Sequence, residues 1–431
     1  MKEPAKLNRS LNLVQLVLYG LGTTIGAGIY ALVGELAAIA GYYAPLSFLG
    51  ASVMAALTGL SFAELSGRYP RCAGAALYVK EGFSSQRLST VVGCLVIAAG
   101  LVSAAAIVNG FTAYLGEFIS VDRHTAIIAV TLGFGTLAAW GISQSVTIAA
   151  LVTVVEIAGL LLVIGVSYSG LADLPARWRE LVPAPGSGGW YGIYAGSLLA
   201  FYAFIGFEDM VEVAEETRRV RRNLPLGIIL TLVTTTVLYM AIMVTAVMAM
   251  PPEQLAQSQV PLASLYEHYT GGDATVISII GLFALINGAL IQLIMASRVL
   301  YGMSSRGLLP AVISRVNPRT QTPLVATALA TAAIMLLALS GTLASLAEAT
   351  SLIMLVVFAL VNLALIRVKR RDPGPEGLDL PAPRDPPFRE NADQLAPLER
   401  FAGFLEGPGQ GFRFGDEHDR APLMRQPADD G

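Results

Sequence analysis

Runs of apolar residues dominate the chain, each close to the ~20 residues that a helix needs to cross a ~30 Å hydrocarbon core. Ten can be read, over residues 12–40, 44–66, 88–117, 125–140, 146–169, 191–213, 224–249, 274–304, 323–340 and 344–366. Of the 431 residues, 54 % are hydrophobic and 14 % charged. Soluble domains carry roughly 25 % charged residues, so a cytosolic enzyme and a disordered protein are both excluded. A net charge of −3 with no basic domain excludes a nucleic-acid binder. Two cysteines, Cys72 and Cys94, exclude a disulfide scaffold, and three histidines make a His-based metal centre unexpected. The expectation is an all-α polytopic membrane protein with ten transmembrane helices, without cofactor or metal, whose constant neighbour is the lipid bilayer.

Charge marks the ends of the membrane part. From residue 367 to the C-terminus, 23 of 65 residues are charged, and proline clusters punctuate the segment. It reads as a polar, mostly disordered tail (367–431). Lysines and arginines fall before span 1, between spans 2 and 3, and after spans 6, 8 and 10, all on one side; the opposite loops hold Arg123, Arg177 and Arg179. The positive-inside rule then puts both termini in the cytoplasm. No signal peptide is evident, because the apolar stretch after Arg9 has no small-residue cleavage site. The expected parts are a cytoplasmic N-terminus (1–11), five spans (12–169), five more (191–366) and the tail.

Two spans read as interrupted. Span 1 contains Gly22-Thr23-Thr24-Ile25-Gly26-Ala27-Gly28, and span 6 contains Tyr202-Ala203-Phe204-Ile205-Gly206-Phe207 running into Glu208 and Asp209. Each glycine disfavours a helix by ~1 kcal/mol relative to alanine. Unwound backbone is tolerated within a bilayer only where it is buried in protein or lines a cavity. Interruptions at matching places in two halves point to a transporter's binding site. Spans 1 and 6 are five apart, so the second set of five starts on the other side of the membrane, which makes the repeat inverted. The amides of Gly26, Ala27 and Gly28, at the positive end of a half-helix, can hold a carboxylate. Carbonyls near Ile25, Tyr202, Ala203 and Ile205 can accept from an ammonium group. Together they form a receptacle for an α-amino acid zwitterion. The competing reading is that these glycines are close-packing surfaces between helices.

These segments resemble a known superfamily. The run from Gly22 to Tyr30 (GTTIGAGIY) resembles the first-helix signature of amino acid–polyamine–organocation (APC) transporters. Ala63 to Ala75 (AELSGRYPRCAGA) resembles their loop between helices 2 and 3. Phe201 to Asp209 (FYAFIGFED), continuing to Thr217 and Pro225, resembles their sixth helix, and Asn287 to Gly302 their eighth. The resemblance implies a 5+5 inverted repeat with helices 1 and 6 broken, alternating access, and a site between helices 1, 6, 3 and 8. It implies that Ile25, Gly26, Ala27 and Gly28 bind the substrate's carboxylate and help with its amine, and Thr24 beside them is a further substrate-binding candidate. It also implies that Tyr202 is an aromatic gate, and that Glu208 approaches the amine or stabilises the unwound turn. Many members have twelve helices, where this chain has a polar tail in place of the last two. Many proton-dependent members carry a lysine in helix 5, where alignment on Gly141 and Ser145 puts Glu156 here.

Glu156 lies mid-span with no basic neighbour in its own helix. An ionisable group there is a functional candidate by default. A proton carrier, a cation ligand and a protonated structural glutamate are the three readings. Glu64 and Arg68 are spaced i,i+4 near the cytoplasmic end of span 2 and are inner-gate candidates. No P-loop, zinc-protease motif or nucleophile elbow occurs, so the chain reads as a gradient-driven transporter and not an enzyme. The expected function is proton-coupled symport of neutral amino acids across the cytoplasmic membrane, with sodium as the second candidate ion. Exchange of cationic amino acids or polyamines, and a non-transporting sensor or complex subunit, are the alternatives.

Overall fold

The computed structural model describes residues 11–70, 74–140, 146–305, 309–317, 319–320 and 322–372. Gly141, Ser145, Arg71 and the tail beyond residue 372 lie outside them. The described residues contain no β-strand, only an isolated bridge between Leu11 and Thr217. The helices are α1 (Leu13–Thr24), α2 (Ala27–Ala40), α3 (Ala44–Arg68), α4 (Gly74–Phe83), α5 (Gln86–Gly116), α6 (Arg123–Trp140), α7 (Val146–Val166) and α8 (Leu174–Arg177). They continue with α9 (Gly189–Phe201), α10 (Val220–Ala249), α11 (Pro252–Gln257), α12 (Pro261–Thr270), α13 (Thr275–Ser305), α14 (Leu324–Ser340) and α15 (Leu343–Arg371). Among the described residues six helices are long and apolar enough to cross a membrane, and a pair bent by 56°, Ala150–Val166 with Tyr168–Leu181, would make seven. Leu13–Thr24 and Leu324–Ser340 are shorter apolar helices. The chain is an all-α polytopic membrane protein.

The helices sort their faces as a bilayer demands. On α3, Leu49, Val53, Leu57 and Leu60 form an exposed apolar stripe at helical spacing, while Ala51, Ala55 and Phe62 on the other face are buried. Gly59 gives α10 room to approach, since a Cβ there would run into Leu232. Polar caps start the long elements where the chain needs them. Asn12 and Gln15 form a reciprocal capping box on α1, and Thr342 and Ser345 do the same on α15.

Four short helices fall outside the apolar runs, α8 among them between α7 and α9. α4 lies in the Lys/Arg-bearing loop after α3, and α11 and α12 lie between α10 and α13. The C-terminal turns of α15 reach α3 and α4. Lys369 Nζ is 2.7 Å from Glu64 Oε2, whose other oxygen pairs with Arg68 at 2.9 Å, and the Arg367 guanidinium lies 4.3 Å from the Phe83 ring centroid. The expected i,i+4 pair is therefore present and is part of a three-residue cluster.

Candidate functional site

The first apolar run is two helices. α1 ends at Thr24, Ile25 is extended, and α2 restarts at Ala27, so the interruption occupies Ile25 and Gly26. Gly22 and Gly28 are inside the helices that flank it. Gly28 is a packing glycine, because a Cβ there would strike Ala203 Cα and lie 2.6 Å from Ala203 Cβ. The close-packing reading thus holds at Gly28, while Gly26 lies in the interruption itself. α2 starts with no side chain capping it. The first N–H groups of a helix have no acceptor within the helix, so the amides after Gly26 present donors and the positive end of a dipole.

The second interruption follows α9. A 3-10 turn spans Tyr202–Phe204, Ile205 is extended, and a 3-10 segment runs over Phe207–Glu216. Gly206 joins them at φ +127°, a conformation side chains disfavour. A Cβ on Gly206 would also strike Thr23 O and come within 2.6 Å of Thr23 C. Phe201, Phe204 and Phe207 are fully buried and hold the segment in place. Phe204 packs on Phe48 and Tyr239, and Phe207 on Phe62 and Phe358.

The two breaks are tied to each other. Thr23 Oγ1 donates to Gly206 O at 2.9 Å. The Tyr239 hydroxyl, from α10, lies 2.9 Å from Thr24 O and 3.0 Å from Ala203 O. A phenol has one proton, so these carbonyls share it. Leu11 N donates to Glu216 O and Arg218 N to Leu11 O, which joins the start of α1 to the end of the second break.

Beside the breaks lies a cavity with about 470 Å³ of empty space. Gly22, Thr23, Thr24, Ile25, Gly26 and Gly28 line one side, and Tyr202, Ile205 and Asp209 line another. Ser103 and Ile107 of α5 and Gly288, Ile291 and Gln292 of α13 complete it. The structure thus brings Thr24, Ile25, Gly26, Gly28, Tyr202 and Ile205 together. Ala203 lies in the 3-10 turn of the second break and does not line the cavity, and Ala27 is the first residue of α2. Ala203 O and Tyr202 O already accept from Tyr239 and from Ile205 N. The Tyr202 hydroxyl is fixed against Ser103 Oγ at 3.1 Å.

A second cavity, with about 510 Å³ of empty space, shares Ser103, Ile205, Asp209 and Gln292 with the first and extends past Glu208 and Glu212 to Gly74 and Ala75 of α4. Glu208 lines this one only, and its Oε2 accepts from Gly206 N at 2.9 Å, stabilising the unwound turn. Asp209 lines both. It is buried, and its Oδ2 has no hydrogen-bond partner. Glu156 is fully buried on α7, and neither of its carboxylate oxygens has a partner. Its backbone carbonyl accepts from Tyr30 of α2 at 2.8 Å, which sets it beside the first break without reaching the cavity lining. Asn287 is buried but lines neither cavity, whereas Gln292 lines both.

Sequence comparison accords with this geometry. The amino acid permease family model matches residues 11–386, which include both breaks and every residue lining the cavities. The chain belongs to the amino acid permease family. This permease is 31 % identical over 401 residues to the vacuolar cationic amino acid transporter 4 of Arabidopsis thaliana, covering 88 % of this chain and 66 % of the relative. It is 27 % identical over 391 residues to the branched-chain amino acid permease BcaP of Bacillus subtilis, covering 85 % and 82 %. It is 25 % identical over 393 residues to the methylthioribose transporter of the same organism, covering 85 % and 82 %. The permease spans just under two thirds of the plant relative's length.

Tyr239 and Ser103 are among the residues of the site that the sequence reading did not assign, and Asp209 was named there only as the neighbour of Glu208. Ser103 and Tyr239 sit in uninterrupted apolar runs and carry no local signal. Asp209 stood in plain view beside Glu208, but spacing alone does not separate the acid that caps the turn from the one facing the cavity.

Proposed function

We propose that the chain is a secondary active transporter that carries α-amino acids across the cytoplasmic membrane by alternating access, with both termini in the cytoplasm. One observation carries the reading: two interrupted helices face each other across a cavity, with the uncapped N–H groups that start α2 and the backbone carbonyls of Ile25 and Ile205 at the breaks. Those are the complements of the two ends of a zwitterion. The relatives include an amino acid permease and a cationic amino acid transporter by name, which supports the same substrate class.

Ten spans in a 5+5 inverted repeat account for the packing. Pairing each span with the one five later exchanges α3 with α10, α5 with α13, α6 with α14 and α7 with α15. Neighbour relations follow that exchange. α1 packs on α10 as α9 packs on α3, α7 on α13 as α15 on α5, and α6 on α13 as α14 on α5. α3 with α10, α5 with α13 and α6 with α14 are themselves in contact, as elements straddling a two-fold axis should be. The second cavity leads from the site toward α4, in a loop assigned to the cytoplasm by its basic residues, and supports an inward-leaning state.

Glu156 is the proposed proton carrier. It is an unpaired carboxyl inside the membrane, one helix away from the break it would sense through Tyr30. The test is uptake of labelled amino acids into proteoliposomes under an imposed pH gradient. Accumulation above equilibrium, with a pH dependence that flattens in Glu156→Gln, is the expected result. Ligand-dependent stabilisation with no accumulation would replace transport by the sensor reading. An unchanged pH dependence in Glu156→Gln would remove the proton-carrier role.

A further inference from the structure

The two joined cavities are unbalanced in charge. Among the described residues lining them are Glu208, Asp209 and Glu212, and no lysine, arginine or histidine. The three acids are not equivalent. Glu208 is occupied by the Gly206 amide, and Glu212 is exposed. Asp209 is 6 % exposed and leaves Oδ2 without a donor. A carboxylate oxygen buried without a partner is costly unless a proton or a cation neutralises it, and the place of Asp209 in the cavity wall offers it a cation.

Its position specifies which cation. The α2 amides that would hold the substrate's carboxylate lie on the Gly26–Gly28 side of the first cavity. Asp209 lies where the first cavity passes into the second, on the stretch of wall shared with Ser103, Ile205 and Gln292. The first cavity is also lined by the apolar side chains of Ile107 and Ile205, which suit the methylenes of a ligand anchored by its carboxylate and extended toward Asp209. Such a ligand ends beside one buried anion and two neutral hydrogen-bonding groups, Ser103 and Gln292. We propose that Asp209 is the counter-ion for a positive charge at the far end of the substrate, so that the site selects α-amino acids with a cationic side chain. The proposal rests on the amino acid transporter reading above. It takes up the cationic alternative in place of the expected neutral substrate, an expectation that came from the lack of a dense cage of acids. A single carboxylate suffices when no protein group neutralises it.

Arginine and citrulline are the probes, because they have nearly the same shape and differ in charge at the distal group. With the full chain purified and reconstituted, arginine should bind and be taken up more tightly than citrulline by about 10- to 150-fold, the range for one charge-assisted hydrogen bond. Asp209→Asn should bring the ratio to within about 3-fold, and Asp209→Glu should keep arginine preferred. A wild-type protein that handles citrulline or leucine as well as arginine overturns the proposal whether or not the variants fold, and leaves the transporter reading standing. An Asp209→Asn protein that keeps the full ratio also overturns it. A wild-type protein that binds none of arginine, citrulline and leucine overturns the amino acid reading, and this proposal with it.

Discussion

Gly26→Ser separates a binding role for the first break from a packing role. Gly26 is the residue before α2, and its φ of 179° is extended backbone that any residue adopts. A Cβ there meets only Ala284 O, at 3.9 Å, so a serine fits without moving its neighbours. Its hydroxyl reaches toward the N–H groups two and three residues on, as serine does at helix N-caps. The unliganded protein should be unchanged or gain a few tenths of a kcal/mol, the difference between glycine and serine at such a position. The substrate loses the same donors. A hydrogen bond to a charged group contributes about 1.5–3 kcal/mol, so affinity should fall about 10- to 150-fold for one bond lost and further for two. Thermal unfolding of the apo protein and calorimetric titration with the transported amino acid measure the two effects separately. A variant with unaltered melting and unaltered affinity would show that these amides do not hold the ligand, and the reasoning would fail.

Gly28→Ala should behave in the opposite way. Its Cβ would push on Ala203, so the two interrupted helices must part, and overpacking of this kind costs about 1–3 kcal/mol of stability; a melting temperature equal to wild type would contradict the contact. Tyr239→Phe removes the one proton shared by Thr24 O and Ala203 O, and should lower stability by about 1–2 kcal/mol in the same unfolding assay. Lys369→Ala breaks a half-exposed contact to Glu64 and should change stability by less than about 1 kcal/mol. A larger loss would mean that the cluster of Glu64, Arg68 and Lys369 bears more of the packing of α15 on α3 than its exposure implies.

Much of the fold was legible because a bilayer allows few solutions. Each apolar run became helical, and the two runs read as interrupted, the first from its glycine cluster and the sixth from Tyr202 to Asp209, are interrupted. The location of the first break within its run was less legible. Gly22, Gly26 and Gly28 look alike as letters, but only Gly26 lies in the gap, whereas Gly28 is small because Ala203 passes against it. That distinction needs the partner helix. The helices α4, α11 and α12 escaped because they are short and lie between the apolar runs, where hydropathy carries no signal. Of the cavity lining, the backbone half came from glycine spacing. The half supplied by Ser103, Ile107, Gly288 and Ile291 did not, because these residues sit in long helices and become site residues only through how α5 and α13 pack. Tyr239 shows the same limit, since a tyrosine inside a span announces burial and says nothing of the two carbonyls it joins.

The most direct measurement is a dipolar-coupling distance, by solid-state NMR, between a ¹³C-carboxyl-labelled amino acid and the ¹⁵N amides of Ala27 and Gly28 in reconstituted protein. An N–H···O bond of the usual length sets the carboxyl carbon about 3.5–4 Å from at least one of those nitrogens, and that is the predicted result. A saturating, transported amino acid whose carboxyl carbon gives no coupling to either nitrogen would contradict the claim that the broken first span grips its substrate through the backbone.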